Sequence, residues 1–334
     1  MSQLTYHEIN PLVRIKELEL ITKDEFERMI EAETMEQLAS LLKDTHYSSY
    51  IYPGFEHEFE QNLNKEIEEE YREIIEIAPE KEVIWLYTMR YTFHNLKVLT
   101  KAKRLNKELN QLCIYDGFYS IETLKRAIQT GYSTQLPTTV AESIREVTLH
   151  LEESKVLQGI DVIYDRYFLK TQRELGETLG YPELLNEIIS FIDLTNIETT
   201  ARGILQKRNR NFMTGVLSSM GSISKESLLT FADNREGSFE AFIDFLHNSD
   251  YAQVIAPALL EGEIAFNLLG KLKDDYLTQH YEGAQTQAFG PLPLLALLNA
   301  KEIEIKNLRT LVIGKKCGFT TQQIRERMRR VNDL

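Results

Sequence analysis

Gly314-Lys315-Lys316 contains the Gly-Lys pair of a phosphate-binding loop, in which backbone N–H groups and a lysine cradle the phosphates of a nucleotide. The motif also needs a glycine where Arg309 stands and Ser or Thr where Lys316 stands, so the cradle is missing. His7-Glu8 and His57-Glu58 begin like the zinc pattern His-Glu-x-x-His, which stacks two imidazoles on one helix face. Pro11 and Gln61 occupy the positions of the second histidine. The other His show no ligand spacing, and neither a nucleophile elbow nor a dinucleotide-binding glycine loop is present. Cys113 in LNQLCIYDGF reads as a core thiol and Trp85 in VIWLYTMRY as a packing residue. Carboxylates are plentiful, at 51 Asp and Glu, yet nothing in their spacing singles out an acid–base pair. These residues point away from an enzyme.

Charge is distributed unevenly. Residues 56–76 carry nine acids and two bases around the stripe Leu63, Ile67, Tyr71, as expected of a helix with one core face and an acidic outer face. That face is either solvated or a docking surface for a basic partner. Basic residues gather in three places: Lys97, Lys101, Lys103 and Arg104; Arg202, Lys207, Arg208 and Arg210; Arg309, Lys315 and Lys316. Each group falls near the end of an expected helix, where cations complement the macrodipole by about 0.3–1 kcal/mol each. The other reading is that equivalent clusters ring one end of the molecule and receive a polar partner. Arg325, Arg327, Arg329 and Arg330 suggest a further basic helix. No nucleic-acid motif accompanies it, and a net charge of −13 argues against general nucleic-acid binding.

The elements that must position these residues read as helices. Apolar residues recur at the 3.6-residue period, as in Phe26, Met29, Ile30 and in Leu184, Leu185, Ile188, Ile189, Ile192. Thr22 with Glu25, Thr34 with Gln37 and Thr320 with Gln323 fit the capping box that opens a helix. Gly and Pro fall between the stripes, and alternating β patterns of useful length are absent, so the class is all-α. Only 16 Gly and 8 Pro in 334 residues leave too few turns for a sandwich or barrel. Two Cys fit a reducing compartment. The longest uncharged run, residues 283–300, is broken by Pro291 and Pro293 and reads as a loop entering a buried helix, since a membrane span needs roughly 20 apolar residues.

An internal repeat organises these helices. Residues 34–51 match residues 238–255 at an offset of 204, pairing Leu38 with Phe242, Leu42 with Leu246, Tyr47 with Tyr251 and Ile51 with Ile255. Thr22 meets Ser224 upstream at 202, and Leu63, Ile67, Tyr71 meet Leu268, Leu272, Tyr276 at 205. A weaker middle copy sets Ser120 against Thr22, and Asn196-Ile197 against Asn95-Leu96 at 101. The last helix has its third copy within residues 302–309, in a register open by one residue. The expected division is three helical repeats of about 100 residues, 1–117, 118–220 and 221–334, arranged with pseudo-threefold symmetry.

Several segments resemble a known family. The run Tyr6, Asn10, Arg14, Leu20, then residues 91–97 (YTFHNLK), 158–161 (QGID) and 304–309 (EIKNLR), resemble the C subunit, also called the d subunit, of V-type and archaeal-type rotary ATPases. The resemblance covers essentially the whole chain. It implies three similar helical domains forming a funnel on the cytoplasmic face of the membrane, peripheral to it. The funnel would join the central shaft, made of the D and F subunits, to the membrane rotor ring and transmit torque, touching the membrane only through the ring. The resemblance implies no catalysis, no cofactor, no metal, no small-molecule substrate and no nucleic acid. On this reading the three basic clusters, Lys97 to Arg104, Arg202 to Arg210 and Arg309 to Lys316, face the shaft. The alternative is a soluble helical scaffold that binds a basic protein through residues 56–76.

Overall fold

The computed structural model describes residues 4–154, 156–233, 237–260 and 263–331. Its helices in chain order are α1 (Tyr6–Glu17), α2 (Lys23–Glu31), α3 (Met35–Leu42), α4 (Phe59–Ile77), α5 (Lys81–Leu105), α6 (Ile121–Thr130), α7 (Thr138–Glu153) and α8 (Gln158–Leu179). They continue as α9 (Pro182–Leu205), α10 (Arg210–Val216), α11 (Lys225–Leu229), α12 (Ser238–His247), α13 (Ala252–Ile255), α14 (Phe266–Gln279), α15 (Leu292–Lys316) and α16 (Thr321–Arg327). Among the described residues the only β structure is a two-residue antiparallel pair, β1 (Leu259–Leu260) with β2 (Glu263–Ile264), in which Leu259 faces Ile264. The all-α expectation holds.

Local chemistry explains the helix starts. The capping boxes at Thr22, Thr34 and Thr320 all form: each hydroxyl accepts from the backbone N–H three residues on, and the Glu or Gln there reaches back. Ser120 and Asn209 cap α6 and α10 in the same way through one side-chain acceptor. The uncharged run does enter a buried helix. Pro291 and Pro293 flank its first residue, and positions 292–301 are buried throughout. A helix apolar on all sides has to lie inside a core.

The chain divides into two compact units, Met1–Ile84 with Ala265–Leu334, and Trp85–Ile264. In the first, α15 packs against α1, α14 and α16. In the second, α8 packs against α7, α9 and α10.

The long helices α5, α9 and α15 end alike. Asn95, Asn196 and Asn307, all buried, each clamp the backbone of the segment that returns after the helix. Asn95 donates to the Ile114 carbonyl (2.6 Å) and accepts from its N–H (2.8 Å). Asn196 does so with Ser218 at 2.9 Å both ways, and Asn307 with Arg329 at 3.0 and 2.8 Å. Eleven residues after each Asn the backbone turns left-handed, at Asn106 (φ 51°), Lys207 (φ 52°) and Gly318 (φ 72°). The next N–H then bonds back to the carbonyl of Ala102, Gly203 or Gly314, a helix-ending hydrogen bond of the Schellman type.

Candidate functional site

The Asn register brings Lys97 level with Arg309, Lys101 with Arg202, Lys103 with Lys315, and Arg104 with Lys316. The clusters therefore occur at the ends of α5, α9 and α15, but no single position is basic in all three. What each cation does follows from its neighbours.

Three of them cap other helices. Lys103 Nζ donates to the Ile128 carbonyl at the end of α6 (2.9 Å). Lys315 Nζ donates to the carbonyls of Ile30 and Ala32 at the end of α2. Arg210 donates to the Leu229 carbonyl at the end of α11 (2.9 Å) and meets Glu226 at 3.2 Å. The last carbonyls of a helix have no partner within it, and a cation there satisfies both the hydrogen bond and the dipole. These three cations are thus held by the fold.

Others sit in surface ion pairs. Lys97 meets Asp165, Lys101 meets Asp161 (2.6 Å), Arg202 meets Glu198 (2.9 Å) and Arg309 meets Glu60 (2.9 Å). Pairs of this exposure are worth about 0–1 kcal/mol, so a partner's carboxylate could replace the internal one at little cost. Arg208 lies over the Phe212 ring, 4.9 Å from its centre, and donates to Gln206. Arg104, Lys207 and Lys316 are exposed at the helix ends, and Lys316 reaches the Glu56 carbonyl at 3.2 Å.

The structure adds a set of buried polar groups that spacing did not single out. Glu304 on α15 accepts from the Ile21 N–H (2.6 Å) and the Tyr47 hydroxyl (2.7 Å). Asp193 on α9 accepts from the Ile223 N–H and the Tyr251 hydroxyl, both at 3.0 Å. These pairs sit at the offsets already noted, since Ile21 maps to Ile223 and Tyr47 to Tyr251. At the equivalent position of α5, Thr92 donates to Asp116 (2.6 Å), which in turn accepts from the Tyr119 N–H. Burial pushes the Asp116 carboxyl up despite these hydrogen bonds. Beside Glu304, the buried Lys301 donates to Glu66 (2.7 Å), and its Nζ lies 2.7 Å from His46 Nε2. The only signal in the sequence was a lysine closing an otherwise uncharged run, at the end of residues 292–301.

Carboxylates and hydroxyls here hold loops onto helices. Such an arrangement stiffens a body, and it fits the lack of catalytic spacing in the sequence. Residues 9–327 match the family described as ATP synthase (C/AC39) subunit. The chain belongs to that family. It is 56% identical over 331 residues to the C subunit of the V-type sodium ATPase of Enterococcus hirae, covering 99% of this chain and 100% of the relative. It is also 24% identical to the C subunit of the A-type ATP synthase of Methanocaldococcus jannaschii, over 96% of this chain and 85% of the relative. The A-type C subunit of Thermococcus kodakarensis is likewise 24% identical, over 95% and 88%. The family is the non-catalytic C subunit of V-type ATPases, a structural stalk component. The chain is therefore a subunit of a rotary, ion-transporting ATPase.

For a C subunit the acidic stretch is less open to a basic partner than its composition implied. Within α4, Glu66 is paired with Lys301, Glu60 with Arg309, Glu70 and Glu73 with Lys16, and Glu68 with Arg72. Glu69 accepts from Tyr50, and Glu58, just ahead of α4, accepts from Tyr52. The basic tail is likewise engaged. Its helix α16 ends at Arg327, so Arg329 and Arg330 lie beyond it. Arg325 pairs with Glu27 and Glu31, Arg329 with Asp274 and Arg330 with Glu282. Among the described residues no helix is long and apolar enough to cross a membrane.

Proposed function

We propose that this protein is the central-stalk adaptor of its ATPase, joining the shaft of the D and F subunits to the membrane rotor ring on the cytoplasmic side. The observation that carries the reading is 56% identity, over the whole length, to the C subunit of a V-type ATPase. The physical design suits the role. A part that transmits torque needs stiffness, which long buried helices pinned by side-chain clamps supply. A joint that assembles and releases is better built from exposed charges than from a large apolar patch, because rim charges govern on-rate and salt dependence.

The direct test is co-purification from detergent-solubilised membranes, with the A, B, D, F and ring subunits expected alongside this chain. Recovery of the chain without them would sink the reading. The placement of the shaft at the basic helix ends is tested separately. Reversing Lys101, Arg202 and Arg309 together to Glu should weaken D–F binding by at least about tenfold. Unchanged affinity would discard the placement while leaving the stalk role standing.

We also propose that the chain consists of three copies of one helical plan, 1–117, 118–220 and 221–334. The recurring Asn clamps, left-handed turns and loop-holding side chains support this reading, because they share one register on α5, α9 and α15.

A further inference from the structure

The three helix ends differ in one respect. Seven residues after each clamp stand Ala102, Gly203 and Gly314. A side-chain carbon added at Gly203 would meet Met213 Sδ at 2.4 Å, and one at Gly314 would meet Ile324 Cγ1 at 2.9 Å. Met213 belongs to α10 and Ile324 to α16, and both are buried. At these two ends the chain thus covers its own helix with a seven-residue helix and presses one apolar side chain into the place a Cβ would take.

At the end of α5 that cover is missing. The clamped residue lies 19 positions after Asn95, against 22 after both Asn196 and Asn307. Three residues are close to one turn of helix. The shorter return forms only a 3-10 turn, Asn110–Leu112. Ala102 therefore lines an open cavity of about 410 Å³, within the usual range of ligand pockets. Its lining includes the buried Leu99 and Ile128, and it carries Lys103, Lys107 and Lys125 with one acid, Glu108, which Lys125 meets at 3.4 Å. Leu105 and Leu112, which flank the cavity residues in sequence, are 47% and 52% exposed.

We propose that this groove is a docking site for a short amphipathic helix of a partner protein, carrying one aliphatic or Met anchor flanked by carboxylates. The anchor follows from what fills the two equivalent places. The carboxylates follow from Lys107 and from Lys125, whose exposed pair with Glu108 a partner's carboxylate can replace at little cost, and both make a basic partner unfavourable. A free phosphate would satisfy the lysines alone and leave most of the space beside Ala102 unfilled. The lining of the groove sets these requirements, whichever protein supplies the helix.

The test uses the full chain with methyl-labelled Leu, Ile and Ala. The probe is a lactam-stapled ten-residue helical peptide with one central Met and four Glu. Its Met-to-Gln and Glu-to-Gln versions and sodium pyrophosphate serve as controls. Saturable shifts of the Leu99, Ala102 and Ile128 methyls are expected with the probe. Affinity should fall at least tenfold for either control peptide and for the Lys107→Glu/Lys125→Glu variant. A second variant, Ala102→Met, should plug the groove and abolish the shifts without altering charge. Thermal unfolding of both variants is recorded alongside, and Lys103 is left intact because it caps α6. No methyl shifts with the probe, equal binding of the neutral peptide, or displacement of the probe by pyrophosphate would each overturn the proposal. D–F binding measured on the same variants separates this outcome from the stalk reading, which stands if the shaft binds and the groove does not.

Discussion

At the residue scale, the buried charges of the first unit carry a pH-dependent share of stability. Burial alone would push the Glu66 carboxyl up, but the hydrogen bond to His46 and the charge of Lys301 outweigh it and hold it below its ordinary value. Lys301 is the mirror case, lowered by burial and raised overall by Glu304 and Glu66. A depressed carboxyl adds stability above its unfolded value of about 4.3 and loses it as the pH falls through the folded value. A raised lysine keeps its contribution below about pH 10.4 and loses it only above that. The melting-temperature gap between the native chain and Glu66→Gln should therefore be widest near neutrality and close below about pH 4. A gap constant across that range would show that ionisation of Glu66 is not the cause. Lys301→Met should cost about 3–5 kcal/mol, because it strands buried carboxylates, and adding Glu66→Gln should recover part of that loss.

At the element scale, close approach of two helices overrides helix propensity. Gly203 lies inside α9, where Ala would ordinarily stabilise by about 0.8–1.0 kcal/mol. The contact with Met213 on α10 reverses the sign. Gly203→Ala should lower the urea midpoint, and Gly203→Ala with Met213→Ala should lose less than the two single changes summed. A stabilising Gly203→Ala would mean that α10 does not rest on this position. The same logic explains the open groove on α5, where Ala102 stands in place of glycine and the return segment forms only a 3-10 turn.

At the scale of the whole molecule, the net charge of −13 conceals a specific layout. Most of the acids of α4 are consumed by internal partners, and the helix-end cations include some that cap helices and others in replaceable surface pairs. An interface built on the second kind should be salt-sensitive. The association rate with D–F should drop by at least about tenfold when salt rises from about 50 to 500 mM, while dissociation changes far less. A salt-independent rate would point to an apolar interface elsewhere on the chain.

Much of this protein was legible before any coordinates. Capping boxes, the 3.6-residue period and the sparse Gly and Pro are local or compositional signals. They determined the all-α class, the helix starts and the buried entry of α15, and ordered motifs identified the family. Asn95 and Asn196 were matched as a repeat, but the clamp each makes was not visible, because its partner lies on the return segment 19 or 22 residues away. The basic clusters show in the charge count, yet counting cannot separate Lys315, bound to carbonyls some 285 residues distant, from Arg104, exposed at the end of α5. Three missing residues after α5 carry no signal of their own. Only when the clamps set the three helix ends in one register does that shortening become a groove, because packing decides what a covering helix would have filled.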